Sequence, residues 1–165
     1  AKIHEKTAEL AARIHLDYKN QKPDFHPTLK RSFMFAADQL KEIKIPCKIS
    51  FVKISSYSGT SSTGQLKTLI GHDESLFNQD IIIVEDIVDS GLTIGKIIED
   101  LRGLGARSVE AISLLRKSEA REKNIDVKYV GFELDSEFVV GYGLDYDGFG
   151  RNYRDIYKQL QADQK

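Results

Sequence analysis

Cysteine is nearly absent: Cys47 stands alone among 165 residues, which excludes an internal disulfide and any multi-cysteine zinc site. The four histidines, His4, His15, His26 and His72, have no ligand-like spacing. An excess of charge of one sign is missing too. Twenty-four Lys and Arg face twenty-five Asp and Glu, a net charge of -1, so bulk attraction recruits neither nucleic acid nor an anionic membrane. No apolar run approaches the roughly twenty residues that span a bilayer, and the N-terminus has no apolar signal core. The nucleotide loops G-x-x-x-x-G-K-[ST] and G-x-G-x-x-G do not occur, nor does an internal repeat. These absences lead to the expectation of one domain over residues 1–165, not exported, working in a reducing, cytoplasmic setting, with any phosphate contact made locally. The chain opens without Met in what reads as the middle of a leading segment, so residues are expected to precede Ala1.

What is present is an ordinary globular composition, 41% apolar and 30% charged. Ala8, Leu10, Ala11, Ile14 and Tyr18 recur at three- and four-residue spacing, which predicts an amphipathic helix from Ile3 to Tyr18. After the short segment DFHPTLKR, the spacing of Phe33, Ala36, Ala37, Leu40 and Ile43 predicts a second helix, ended by Pro46. KISFVKI, Lys48 to Ile54, alternates polar and apolar as a strand does. The stretch from Ser55 to Gln65 is mostly Ser, Thr and Gly and is expected to be a mobile loop of about residues 55–68. Ile81 to Val84 are four consecutive β-branched residues, the mark of a strand buried on both faces of a parallel sheet. A helix is expected from about Leu92 to Leu104, followed by strands at Ser108 to Leu115, Lys128 to Leu134 and Phe138 to Leu144. Alternation of helix and strand gives an α/β class with a central parallel sheet.

Chemistry concentrates at the end of the buried strand. Glu85, Asp86 and Asp89 fall within five residues, at the carboxyl end where open α/β sheets place their ligands. Two bare carboxylates about 4 Å apart repel by roughly 4 kcal/mol at an effective dielectric of 20, so the cluster calls for a cation or hydroxyl donors. Asp89-Ser90-Gly91-Leu92-Thr93 then enters a helix, where glycine permits a tight turn and the first amides suit a phosphate. An anion cradle beside an acidic cluster fits a substrate that carries both a phosphate and ribose hydroxyls or a bound Mg²⁺.

The string IIIVEDIVDSGLT resembles the phosphoribosyl pyrophosphate signature of the type I phosphoribosyltransferases. SFMFAADQL, SSYSGTSSTG, SLLRKSEAR and FVVGYGLDYDGFGRN are similar to their counterparts in the hypoxanthine-guanine branch, short bacterial type, and extend the likeness from about residue 7 to about residue 158. The resemblance implies the type I fold, a central parallel sheet flanked by helices with a small hood formed by the chain ends. It also implies a purine salvage enzyme that moves the phosphoribosyl group of phosphoribosyl pyrophosphate to hypoxanthine, guanine or xanthine. By the same resemblance Asp89 is the base for the purine proton, and Asp89, Ser90, Gly91, Leu92 and Thr93 hold the 5′-phosphate. Glu85 and Asp86 hold the ribose hydroxyls, directly or through Mg²⁺, and Asp145 serves a second Mg²⁺. Lys117, Phe138, Val139 and Asp145 form the purine site, Leu29, Lys30, Arg31 and Arg151 the pyrophosphate site, and Ser56 and Tyr57 begin the closing loop. A homodimer or homotetramer is implied as the assembly.

One segment departs from the family pattern. Where G-V-L-[KN]-G is usual, this chain has His26-Pro27-Thr28-Leu29-Lys30-Arg31. Arg31 stands in the place of a glycine, and Pro27 takes an amide donor from what should be an inner strand. An active enzyme is expected. The alternative is a weakly catalytic or non-catalytic regulator on the same fold, sensing phosphoribosyl pyrophosphate or nucleotide, for which the near-zero net charge supplies no nucleic-acid face. A xanthine-preferring or uracil-type transferase is a third reading, of which Lys117 and FVVGYGLDY favour a 6-oxopurine over uracil.

Overall fold

The structure is a computed structural model and describes residues 2–53 and 76–158. Its elements in chain order are α1 (Lys2–Asp17), β1 (Asp24–Leu29), α2 (Phe33–Lys41), β2 (Lys48–Ile49), β3 (Val52–Lys53), β4 (Asp80–Val88), α3 (Leu92–Gly103), β5 (Ser108–Lys117), α4 (Ser118–Glu122), β6 (Tyr129–Leu134), β7 (Val139–Val140) and β8 (Tyr157–Lys158). A parallel sheet runs in the order β2-β1-β4-β5-β6, with β3 also paired to β1. Every residue of β4 is buried, as its β-branched run requires. Side-chain alternation along β4 serves two cores: Ile82 and Val84 pack with Leu10, Ile14 and Phe35 of α1 and α2, while Ile81 and Ile83 pack with Ile94, Ile97 and Leu101 of α3. The expectation of a central parallel sheet flanked by helices therefore holds.

The strand order fixes where a ligand can sit. From β1 the chain turns outward to β2 and β3, then comes back on the other side of β1 as β4. Topology reverses between β1 and β4, and the crevice beyond their carboxyl ends is the natural ligand site of an open α/β sheet. The turn Leu29–Arg31 and the acidic turn Glu85–Asp89 are those two ends.

Several expectations need correction. The segment read as DFHPTLKR is strand β1, in register with β4 from Asp24↔Ile81 to Pro27↔Val84. Pro27 is tolerated because of where its missing N–H would point. Phe25 and Pro23 send their carbonyls to Ser50 and Lys48, so odd-numbered residues bond toward β2 and β3. Pro27 shares that parity, so the one bond it cannot donate falls at the interruption between those two short strands, and pairing resumes beyond it at Thr28↔Val52. The strand expected over Lys48 to Ile54 is accordingly split in two. His26, buried in the same strand, is met by Asp24, with Nε2 3.1 Å from Oδ2, and Ser50 Oγ donates to that carboxylate at 3.0 Å.

The second helix ends at Lys41, several residues before Pro46. Only Val139–Val140 of the strand expected over Phe138 to Leu144 forms, pairing antiparallel with β8. Three successive positive φ values, at Gly141 (104°), Tyr142 (54°) and Gly143 (101°), carry the rest of it through a turn. That C-terminal segment is tied to α2 by the Tyr142 hydroxyl, which donates to Asp38. The β7–β8 pair lies off the main sheet near the C-terminal end, whereas α1 packs on α2 and β6 in the main core, so the hood expected from the chain ends does not include the N-terminal one. Helix α4 and strand β8 were not foreseen. The loop of about 55–68, with Ser56 and Tyr57, lies outside the described residues.

Candidate active site

Arg31, Glu85, Ile87, Val88, Asp89, Ser90, Gly91, Thr93 and Ile94 line one cavity at the β1/β4 crevice. The turn after β1 and the turn after β4 thus meet, although some fifty residues separate them in sequence.

One end of this cavity is built by the start of α3. Gly91 is its N-cap residue, at φ 84°, and has no side chain with which to occupy the first-turn amides. Ser90 Oγ accepts from the Leu92 amide at 3.3 Å. Thr93 points from the first turn into the same cavity. Open amides, two hydroxyls and the positive end of a helix make an anion cradle.

The carboxylates differ in environment. Glu85 and Asp86 are buried, at 7% and 1% exposure, whereas the Asp89 side chain is exposed. Burial, then the Asp86 charge, pushes Glu85 up to about 8, opposed by the Thr28 hydroxyl and the Arg31 charge. Burial raises Asp86 to about 6, opposed by Arg31, the Ile87 amide and Arg151. The Ile87 amide donates to Asp86 Oδ1 at 2.7 Å, while Asp86 Oδ2 is buried with no hydrogen-bond partner. A buried oxygen in that state costs about 1–3 kcal/mol, and a cation or a ligand hydroxyl would relieve it. Among the described residues no three metal-ligating side chains converge, so Glu85, Asp86 and Asp145 do not form one cage. The donor set nevertheless suits Mg²⁺, which takes one or two carboxylates and fills its remaining positions with water and phosphate oxygens.

These raised values have a consequence for stability. The folded protein holds protons on Glu85 and Asp86 at pH values where the unfolded chain has released them, so its stability falls as pH rises from about 5 to about 8. In thermal melts of the ligand-free protein, Glu85→Gln should flatten this decline. Parallel pH profiles for the two proteins would contradict the burial of a protonated Glu85.

Lys117 closes β5 and its Nζ lies 3.5 Å from Asp89 Oδ2. The structure thus joins two residues that sequence reasoning treated separately. Phe138 is exposed and meets Tyr146 edge to face, with centroids 6.1 Å apart. Val139, half-buried, follows it in β7. Asp145 accepts from the Gly148 amide (2.9 Å) and pairs with Arg151 (3.3 Å), whose other nitrogen donates to the Gly143 carbonyl (2.7 Å).

Around the turn after β1, the Leu29–Lys30 peptide is cis, Lys30 is exposed, and Arg31 stays outside the left-handed region. Another segment backs this turn closely: a Cβ on Gly143 would lie 2.1 Å from the Arg31 carbonyl oxygen. Arg31 is therefore accommodated without the positive φ that the family glycine suggested. Thr28, which sequence reasoning missed, sits on β1 two residues from His26; its hydroxyl donates to the Val84 carbonyl at 3.3 Å and lies close enough to Glu85 to favour its charged form. Its only signal was its place before Leu29-Lys30.

Residues 1–147 match the phosphoribosyl transferase domain. The chain belongs to the phosphoribosyltransferase family. Within it, the hypoxanthine phosphoribosyltransferase of Escherichia coli is 41% identical over 149 residues, 88% of this chain and 84% of that protein. The hypoxanthine-guanine phosphoribosyltransferase of Mycobacterium tuberculosis is 38% identical over 161 residues, 93% of this chain and 78% of that one. A hypoxanthine-guanine phosphoribosyltransferase from Bacillus anthracis superposes with a TM-score of 0.87 at 36% identity, covering 96% of this chain and 94% of the other. The hypoxanthine phosphoribosyltransferase of Trypanosoma cruzi in complex with the product IMP gives 0.87 at 34% identity, covering 95% and 89%. The type I phosphoribosyltransferase fold and the hypoxanthine-guanine branch read from the motifs are both borne out. Among the described residues, no helix is long and apolar enough to cross a membrane.

Proposed function

We propose that this phosphoribosyltransferase joins a 6-oxopurine, hypoxanthine first, to the phosphoribosyl group of phosphoribosyl pyrophosphate, releasing pyrophosphate and a nucleoside monophosphate. The observation that carries the reading is one cavity lined by Arg31, by Glu85 of the acidic pair and by Asp89, Ser90, Gly91 and Thr93 of the anion cradle, with Lys117 paired to Asp89. The cradle would hold the 5′-phosphate. Lys117 would donate to the purine 6-oxo group and so reject the 6-amino of adenine, which offers donors where an acceptor is wanted. Phe138 would stack on the base, and Val139 would bind its edge through backbone groups. Asp89, exposed and next to that cation, would accept the imidazole proton as the ring nitrogen attacks the anomeric carbon. Glu85 and Asp86 would hold the ribose hydroxyls and, with a cation bound and the protons that burial leaves on them released, their negative field would favour the positive charge that develops on the sugar. Lys30, Arg31 and Arg151 would bind pyrophosphate, with Leu29 shaping the turn, and Asp145 would steady Arg151.

Mg²⁺ would be held by Glu85, Asp86 or Asp145 and would neutralise pyrophosphate charge as the leaving group departs. A cytoplasmic setting and a homodimer or homotetramer belong to the same proposal. The free thiol of Cys47 supports the first. A structural relative from T. cruzi, studied for the role of its C-terminal region in oligomeric state, supports the second. The relatives named above are transferases, which leaves the non-catalytic alternative without support.

Incubating the protein with Mg²⁺, phosphoribosyl pyrophosphate and each nucleobase should yield monophosphate from hypoxanthine and none from adenine. No product with any base would overturn the assignment. Arg31→Gly should weaken pyrophosphate binding by about tenfold, since a guanidinium contact to an ionised group is worth about 1.5–3 kcal/mol. Pyrophosphate inhibition of the forward reaction is the measurement, and unchanged inhibition would remove Arg31 from the site.

A further inference from the structure

Ile125, in the connection between α4 and β6, is a residue to which neither the motifs nor the family likeness gives a role. It is packed directly against the phosphate cradle. A Cβ built on Gly91 would lie 2.4 Å from Ile125 Cγ1 and 2.8 Å from both Cβ and Cγ2. Contacts that short mean that the isoleucine fills the space into which the turn would otherwise relax. We infer that Ile125 is a positioning residue: it wedges the Gly91 turn from behind and fixes the curvature of the Asp89–Thr93 cradle around the 5′-phosphate. This inference rests on the reading of that cradle as the phosphate site.

Three further observations make the wedge rigid. The Ile125 amide donates to the Ala120 carbonyl at 3.1 Å, and Ala120 is fully buried in the core that also holds Ile94 and Ile97 of α3. Arg121 of α4 pairs with Glu133 of β6 at 3.2 Å, and Glu133 is also held by Arg116 of β5. Lys117, at the start of the same segment, pairs with Asp89. The stretch from 117 to 125 thus grips the cradle twice, through a charge at Asp89 and through a branched side chain at Gly91. Cradle amides must converge on one phosphate, and a displacement of about 1 Å in such a constellation can cost up to about 10²-fold.

The test compares Ile125→Ala and Ile125→Val with the unaltered protein, using IMP, phosphoribosyl pyrophosphate and hypoxanthine as probes. Ile125→Ala should weaken IMP binding and raise the KM for phosphoribosyl pyrophosphate by about tenfold, with kcat and the KM for hypoxanthine close to unchanged. Ile125→Val keeps the branched Cβ and should restore both values. A lowered melting temperature with both phosphate-dependent constants intact would overturn the inference, as would equal loss toward hypoxanthine. Should Ile125→Ala fold poorly, Ile125→Leu decides the matter, since it keeps the side-chain volume but loses the Cγ2 branch that meets the Gly91 turn. IMP affinity should fall with the melting temperature close to that of the unaltered protein, and unchanged IMP affinity would sink the wedge. If the unaltered protein binds neither IMP nor phosphoribosyl pyrophosphate, the phosphate-site reading itself fails, a result distinct from any of these.

Discussion

Asp89→Asn should lower kcat by about 10²- to 10⁴-fold while leaving IMP affinity largely intact, because the amide keeps the shape of the carboxylate but accepts no proton. Asp89 is placed for that role by two features. It follows the last residue of β4, so its carboxylate stands clear of the sheet and is exposed, unlike buried Glu85 and Asp86. Lys117 Nζ lies 3.5 Å away, on the side where the purine would enter. Steady-state turnover combined with calorimetric titration of IMP measures both quantities on one preparation. Equal loss in the two would mean that Asp89 positions ligand and takes no proton.

The second large effect is expected at Lys117. Lys117→Met keeps the length of the side chain and removes its charge, so kcat/KM for hypoxanthine should fall by about 10²-fold, matching about 3 kcal/mol for a hydrogen bond made by a charged group. Discrimination against adenine should narrow at the same time, since the cation that confronts a 6-amino group is gone. The Lys117 side chain is only 16% exposed, so little water stands ready to replace it. Competition between hypoxanthine and adenine in one reaction vessel reads the ratio directly. An unchanged ratio would place purine selection on other residues.

These two residues also mark the boundary of what could be read before the fold was known. Each was legible in its own motif, Asp89 in IIIVEDIVDSGLT and Lys117 in SLLRKSEAR. Their pairing was not, because it depends on β4 and β5 being sheet neighbours in the register Val88↔Arg116. Arg31 shows the same limit more sharply. Its motif marked it as standing where a glycine is usual. What the turn packs against could not be read there: the Arg31 carbonyl is approached by Gly143, from a segment more than a hundred residues later. Pro27 was likewise judged against an idealised inner strand, while the real neighbours of β1 are two fragments with a gap that no local pattern announces.

By itself the sequence determined the α/β class, the buried strand from Asp80, the helix after Gly91 and the residue types at the sugar-phosphate site. Those properties follow from side-chain period, β-branching and turn chemistry, which act over a few residues. Tertiary structure alone decided that Thr28 and Arg31 lie beside the acidic pair, that Glu85 and Asp86 are buried deeply enough for their pKa values to rise, and that Ile125 packs against the Gly91 turn. Each of these depends on which distant strand end or loop comes to rest nearby, and that is set by packing of the whole sheet, a quantity no single segment encodes.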